Sequence, residues 1–260
     1  HSFDKSSMTK TAFITGATSG IGRSCAQLFA RNGYQLILTG RRAERLSALK
    51  LELETTYHSR VLTCCFDVRD LEATQAAIAS IPQEDFPTLD VLINNAGLAS
   101  GLSTIDEGAY DDWNVMLDTN VKGLLHVSRE CLPRLKAQGY GHIVNVSSTA
   151  AKDVYQRGNV YCASKHAVDA LSKSMRIDLL PHGIKVTAVN PGACETEFSL
   201  VRFKGDEQKA HAVYEGYQPL TPDDVADAIY YCCSLPAHVC INDLTVTCTQ
   251  QADSVHFHRK

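Results

Sequence analysis

Apolar runs of strand length alternate along the chain with longer segments whose apolar residues recur every three to four positions. Residues 11–15 are followed by 21–32, 35–39 by 43–56, and 61–66 by 71–80. The alternation continues through 91–94, a long helical stretch from about 112 to 138, 142–147, a helix over 159–180, 185–190 and 244–247. A run apolar at every position has no solvent face, so these strands belong to a parallel sheet covered by helices on both sides. The expected architecture is α/β, one doubly wound parallel sheet of about seven strands. In the first helix Ile21, Cys25, Leu28 and Phe29 stand at i, i+4, i+7 and i+8 and form one buried stripe. Gly33 suits the left-handed residue that ends it. Between 194 and 219 the chain turns polar and irregular, with Phe198, Phe203, Tyr214 and Tyr217 scattered through it. An insertion of this kind after a core strand reads as a substrate lid.

At 260 residues and 44% hydrophobic content the chain buries a large core and fits a single domain over 8–260. Residues 1–7 lack the apolar segment of a signal peptide and are set aside as an added leader before the run that begins at Met8. A formal net charge of -4 without a basic stripe argues against nucleic acid and anionic membrane as partners. No stretch of about 18 apolar residues is present to span a bilayer. The 10 cysteines fall inside predicted strands and helices, as with Cys64 and Cys65 or Cys232 and Cys233, without framework spacing. They read as small buried hydrophobes of a reduced, cytoplasmic protein. Neither CxxC nor HExxH occurs, and the close pair His256 and His258 lies in the polar tail, so no metal site is expected.

The first strand ends in Thr15 and a glycine-rich turn: Gly16, Ala17, Thr18, Ser19, Gly20, Ile21, Gly22. Such a turn places backbone N–H groups at a helix N-terminus, where the dipole favours a pyrophosphate. The spacing Gly16-x3-Gly20-x-Gly22 meets the general dinucleotide fingerprint only in part. Where an NAD enzyme carries an acid for the adenosine ribose, this chain has Arg41 and Arg42, which suit the 2′-phosphate of NADP. Asp67, followed by Val68, ends the third strand; its carboxylate either holds the adenine amino group or caps the next turn. Asn94, Asn95, Ala96 and Gly97 give the fourth strand an abrupt polar end at the edge where such sheets bind ligands. Asn120 lies in a helical stretch, although asparagine is a poor helix former.

Tyr161 and Lys165, at i and i+4, share a helix face, and Ser148 ends the preceding strand, so the three converge. A free phenol titrates near 10; acid–base work at neutral pH asks for about three units less, roughly 4 kcal/mol, from an adjacent ammonium and a cationic cofactor ring.

With these residues in register the chain resembles the classical short-chain dehydrogenases/reductases from Thr11 to the C-terminus. TGATSGIG, NNAG, the Asn of DTNVKG, the Ser of NVSST, YCASK and the PG of VNPG carry the likeness. The resemblance implies a Rossmann fold and the catalytic set Ser148, Tyr161, Lys165 and Asn120. It also implies that Lys165 holds the nicotinamide ribose, that Asn120 fixes a water relaying the proton, and that Thr196, after Pro191 and Gly192, meets the carboxamide. TGRRAERL, NNAGLA, GNVY, TEFSLVRFKGD, LTPDDVADAI and LPAHV look like the NADP-dependent 3-hydroxy acid dehydrogenases, a branch that includes sulfoacetaldehyde reductases. That branch implies NADPH/NADP+ as cofactor and a homotetramer built from the two long helices.

The substrate expected from this branch is a short anionic aldehyde. Arg157, four residues before Tyr161, departs from the small residue expected there. Inside the pocket its guanidinium would grip a carboxylate or a sulfonate; turned outward it is a solvated charge. Tyr155 and Gln156 would add hydrogen bonds to the head group, and Arg202 and Lys204 in the lid stand behind them. Arg157 tips the expectation toward reduction of sulfoacetaldehyde to isethionate, with oxidation of serine-like or 3-hydroxypropionate-like acids as the alternative. A third reading, a non-catalytic NADP-sensing regulator, needs the glycine turn but has no use for the full Ser, Tyr, Lys and Asn set.

Overall fold

The computed structural model describes residues 9–260, so the expected leader at 1–7 lies outside the described residues. The elements run β1 (Thr11–Ile14), α1 (Gly20–Arg31), β2 (Gln35–Gly40), α2 (Ala43–Tyr57), β3 (Val61–Cys65), α3 (Leu71–Ala79), β4 (Val91–Asn94) and α4 (Tyr110–Leu117). They continue with α5 (Leu124–Gln138), β5 (Gly141–Val146), α6 (Asn159–Leu179), β6 (Ile184–Pro191), α7 (Glu197–Arg202), α8 (Glu207–Ala212), α9 (Pro222–Ser234) and β7 (Asp243–Val246).

All seven strands are parallel, in the order β3-β2-β1-β4-β5-β6-β7. Alternate residues of the central strands feed two separate cores, as the period of two requires. Ala12 and Ile14 of β1 pack with Cys25, Ala26 and Phe29 of α1 and with Val225 and Ile229 of α9. Phe13, between them, packs on the other face with Val127, Cys131 and Leu135 of α5. This double burial is why β1 reads as an unbroken apolar run in the sequence. The strand order reverses between β1 and β4, and their carboxyl ends open the crevice in which such sheets bind ligands.

The helical stretch expected over about 112–138 is divided. A wide turn of π type over Asp118–Gly123 separates α4 from α5. The cause is Asn120, whose amide donates to the Leu98 carbonyl at 2.8 Å while its Oδ1 accepts from the Leu98 N–H at 2.8 Å. Its second amide hydrogen goes to Ser164 Oγ at 3.0 Å. An asparagine that closes a two-sided bond to a neighbouring loop must leave regular helical register, and one extra residue in the turn provides this.

Residues 194–219 leave and rejoin the body at one point. Glu195 N–H donates to the Leu220 carbonyl and Leu220 N–H to the Ala193 carbonyl, both at 2.9 Å. Between these ends lie α7 and α8, which the sequence pattern left as irregular chain. None of the helices among the described residues is long and apolar enough to cross a membrane.

Candidate active site

A cavity of about 510 Å³ opens at the carboxyl ends of β1 and β4. Its cofactor half is built on the turn from β1 into α1. Gly16 holds φ at +62°, and a side-chain carbon there would come within 3.0 Å of Ala96 and of the Asn95 amide. Gly22 does not line the cavity; a side chain there would collide with the Gly16 carbonyl, so its absence lets α1 pack against the turn. Asn95 staples the turn to β4, its amide donating to the Thr15 and Gly16 carbonyls at 3.1 Å each. Ser19, the N-cap of α1, makes no side-chain cap bond, and no acid stands in the first turn. The N–H groups at this helix end therefore remain available to an anion.

Thr18, Ser19, Gly20 and Ile21 line this half, with Arg41, Arg42, Asp67 and Val68 at one wall and Ala96 and Gly97 at another. Arg42 is held by Thr18 Oγ1 at 2.9 Å and Ser19 Oγ at 3.1 Å. Asp67 takes a forked bond from Arg69, at 3.0 and 2.7 Å, and its Oδ1 accepts from the Arg69 N–H at 3.0 Å. Partial burial raises its pKa, but Arg69 outweighs this and holds the carboxyl below its ordinary value. The carboxylate thus caps its own turn while bordering the cavity. Pro191, Gly192 and Thr196 complete the wall beyond the turn.

One expected cofactor contact is corrected. Asn94 is buried, donating at 2.9 Å to both Ser128 Oγ and Asn145 Oδ1, and it does not border the cavity. A residue at that register of β4 faces the helix layer, and the polar group that reaches the cavity is the next one, Asn95.

At the other half stand Ser148, Tyr161 and Lys165. Ser148 caps a short 3-10 turn over Thr149–Ala151, its Oγ accepting from the Ala150 N–H at 3.0 Å. Lys165 Nζ donates to the Val146 carbonyl at 3.2 Å and lies 5.9 Å from the centre of the Tyr161 ring. Burial drives the lysine pKa down to about 8. Burial also pushes the Tyr161 phenol above its ordinary value, and Tyr155 adds to this, while Ser148 and the Arg202 guanidinium pull it back. The loosening expected of the phenol is therefore not supplied by the protein's own groups, because desolvation outweighs them. Tyr161 is held as an acid, the form that gives a proton.

Arg157 is corrected as well. It is exposed, takes φ +65°, and borders only a narrow outer crevice with Trp113 and Asn159. Its turn closes through Gly158 N–H to the Tyr155 carbonyl at 3.0 Å, which leaves the arginine outside the main cavity. Arg202, from the end of α7, does border the cavity. Its Nη2 donates to the Tyr155 hydroxyl at 2.5 Å, and its carbon lies 5.1 Å from the Tyr161 ring centre and 5.9 Å from that of Phe198. No carboxylate pairs with Arg202 among the described residues, and its Nε is buried with no hydrogen-bond partner. Lys204, also in the lid, is instead paired with Asp112 at 3.0 Å. No cluster of metal ligands occurs among the described residues.

An anion-ready helix end, two arginines on the cavity wall and a Ser, Tyr and Lys set whose Tyr161 and Lys165 are buried define a dinucleotide-dependent oxidoreductase. The family model for short chain dehydrogenases matches residues 10–206, and the chain belongs to that family. It is 43% identical over 245 residues to a serine 3-dehydrogenase of Agrobacterium fabrum, covering 94% of this chain and 96% of that one. It is 46% identical over 246 residues to a sulfoacetaldehyde reductase of Chromohalobacter salexigens, with the same coverage of 94% and 96%. A solved structure described as the closed form of serine dehydrogenase complexed with NADP+ superposes with a TM-score of 0.90 at 40% identity, covering 96% of this chain and 100% of that one. The chain is an NADP-dependent oxidoreductase.

Proposed function

We propose that this enzyme reduces a short aldehyde carrying an anionic head group, sulfoacetaldehyde to isethionate first among them. The observation that carries the reading is Arg202, a half-buried arginine whose Nε is buried and unpartnered beside the tyrosine that would act as acid. An unpaired charge in such a place is costly to the free protein, by about 1–3 kcal/mol for each unsatisfied group, and an anion relieves it. Residues 194–219 act as the lid that brings Arg202 over the substrate.

The glycine turn together with Arg41 and Arg42 would hold NADPH, which would supply the hydride. Tyr161 gives its proton to the carbonyl oxygen. Ser148 hydrogen-bonds the same oxygen and favours it as charge develops there. Lys165 holds the nicotinamide ribose and offsets negative charge left on the phenol. Asn120, whose two amide hydrogens are committed to Leu98 and Ser164, acts as a positioning residue between the Leu98 loop and α6 rather than by donating to a relay water. Exposed Leu117 and Leu125 near the wide turn and Ile177 on α6 support assembly into a homotetramer through these helices. The cytoplasm is the compartment in which ten unpaired cysteines are at home.

A second reading, oxidation of serine-like or 3-hydroxypropionate-like acids, is favoured by the 43% identity to serine 3-dehydrogenase. A sulfonate offers three oxygens to Arg202 and the Tyr155 hydroxyl where a carboxylate offers two, and this places sulfoacetaldehyde first. NADPH consumption measured side by side with sulfoacetaldehyde, malonate semialdehyde and succinate semialdehyde tests the order. Equal or higher kcat/KM with a carboxylate would replace the first reading by the second, and no turnover with any of the three would reject both.

A further inference from the structure

Glu197 opens α7, and its carboxylate reaches back across the mouth of the cofactor half. It takes a bond from Arg45 Nη1 at 2.8 Å and one from Arg42 Nη1 at 3.1 Å. Arg45 lies on α2 and does not border the cavity, whereas Arg42 does. Both guanidinium groups hold the carboxyl pKa below its ordinary value. Just before it, Thr196 rests over the glycine turn: a side-chain carbon on Gly20 would come to 3.3 Å of its methyl group. Arg202, at the other end of the same helix, stands about 7.5 Å farther along at 1.5 Å of rise per residue. One short helix therefore touches Arg42 and Arg45 with its first residue and borders the cavity beside Tyr161 with its last.

The charges make this more than a surface pair. Arg42 and Arg45 face Glu197, while Arg41 stands 3.9 Å from Asp67, which also takes the forked bond from Arg69, so four guanidinium groups meet two carboxylates. The cluster carries a surplus of two positive charges, which a 2′-phosphate dianion neutralises. Arg42 has its Nε and Nη2 on Thr18 and Ser19 and its Nη1 on Glu197, so a phosphate that orders this side chain also fixes the partner of the lid helix. Ordering one shared group for two contacts makes the second contact easier than it would be alone.

We propose that Glu197 is a positioning residue that couples recognition of the 2′-phosphate to seating of the lid helix that carries Arg202. The coupling rests on the reading of 194–219 as a lid and extends it. NADP+ closes the lid more firmly than NAD+ through contacts that never touch the nicotinamide. Cofactor choice is thereby felt in the substrate chamber as well as in cofactor affinity.

Hydrogen exchange of the α7 amides, measured with saturating NADP+ and with saturating NAD+, tests this without turnover or any assumed substrate. Saturation is set by the dissociation constant of each variant. In the native protein NADP+ should slow exchange over 198–203 about fivefold more than NAD+ does. Glu197→Ala should abolish that excess while the NADP+-bound protein stays fully loaded. Arg45→Ala should reduce it and leave NADP+ affinity within about threefold, because Arg45 does not border the cofactor. An excess that persists in Glu197→Ala, or no excess in the native protein, would overturn the proposal. The aldehyde panel decides the substrate separately, so either idea can fail alone.

Discussion

Replacing Lys165 by methionine should stabilise the fold while removing activity. The lysine is buried on α6 with its ammonium bonded to one carbonyl, that of Val146, and burial lowers its pKa from 10.5 to about 8. At 1.36 kcal/mol per pKa unit, keeping it charged near neutral pH costs roughly 3 kcal/mol. Methionine keeps the apolar stem and loses the charge, but it leaves the Val146 carbonyl unpaired at a cost of about 1 kcal/mol. The net gain is about 2 kcal/mol, or a rise in Tm of roughly 4–8 °C for a chain of this size. The pH dependence has a fixed sign. Below pH 8 both folded and unfolded states carry the proton and the penalty is constant. Between about 8 and 10.5 the unfolded chain binds more protons than the folded one, so the wild-type protein gains stability as pH rises. The advantage of Lys165→Met should therefore shrink through that window. Urea unfolding of both proteins at pH 7, 8.5 and 10, without cofactor because bound ligand shifts stability by mass action, reads the difference directly. A variant no more stable than wild type at pH 7, or an advantage that stays constant to pH 10, would refute the reasoning.

Tyr161→Phe should lower kcat by at least about 10³-fold, near the upper range for loss of a general acid, and leave the NADPH dissociation constant within about threefold by fluorescence titration. Arg42→Ala removes a guanidinium at the ribose-phosphate arm and should cut the preference for NADPH over NADH in kcat/KM by about 10–100-fold, the worth of one charge-assisted bond. Arg157→Gly should leave kcat/KM for sulfoacetaldehyde within twofold, since the residue is exposed outside the cavity, and should not lower Tm, since glycine relieves its φ of +65°.

The doubly wound sheet was legible because burial on both faces writes itself as unbroken apolar runs such as Thr11–Ile14, and β1 through β7 fall where those runs lie. The glycine turn and the Tyr161 and Lys165 pair were legible for a similar reason, since each is a short local pattern. What the sequence hid is tertiary. The wide turn at Asp118–Gly123 follows from the bond between Asn120 and Leu98, a partner 22 residues away. Asn94 and Asn95 are alike in composition, and only the strand register turns the first into the helix layer and leaves the second at the cavity. Arg157 lies near Tyr161 in sequence but is carried outward by its turn. Arg202, 41 residues further along than Tyr161, is brought over the phenol by α7. Glu197 carried no signal at all, because its pairing with Arg42 spans 155 residues.

The central claim is that Arg202 selects an anionic carbonyl compound for the chemistry of Tyr161. The direct test compares kcat/KM for sulfoacetaldehyde and for neutral propanal, with NADPH, in the wild type and in Arg202→Met. A guanidinium hydrogen-bonded to an anion is worth about 1.5–3 kcal/mol, so the wild type should favour sulfoacetaldehyde by about 10–100-fold. Arg202→Met should lose that preference through KM, with propanal almost unaffected. Equal use of the two aldehydes by the wild type, or a preference that survives in Arg202→Met, would contradict the account.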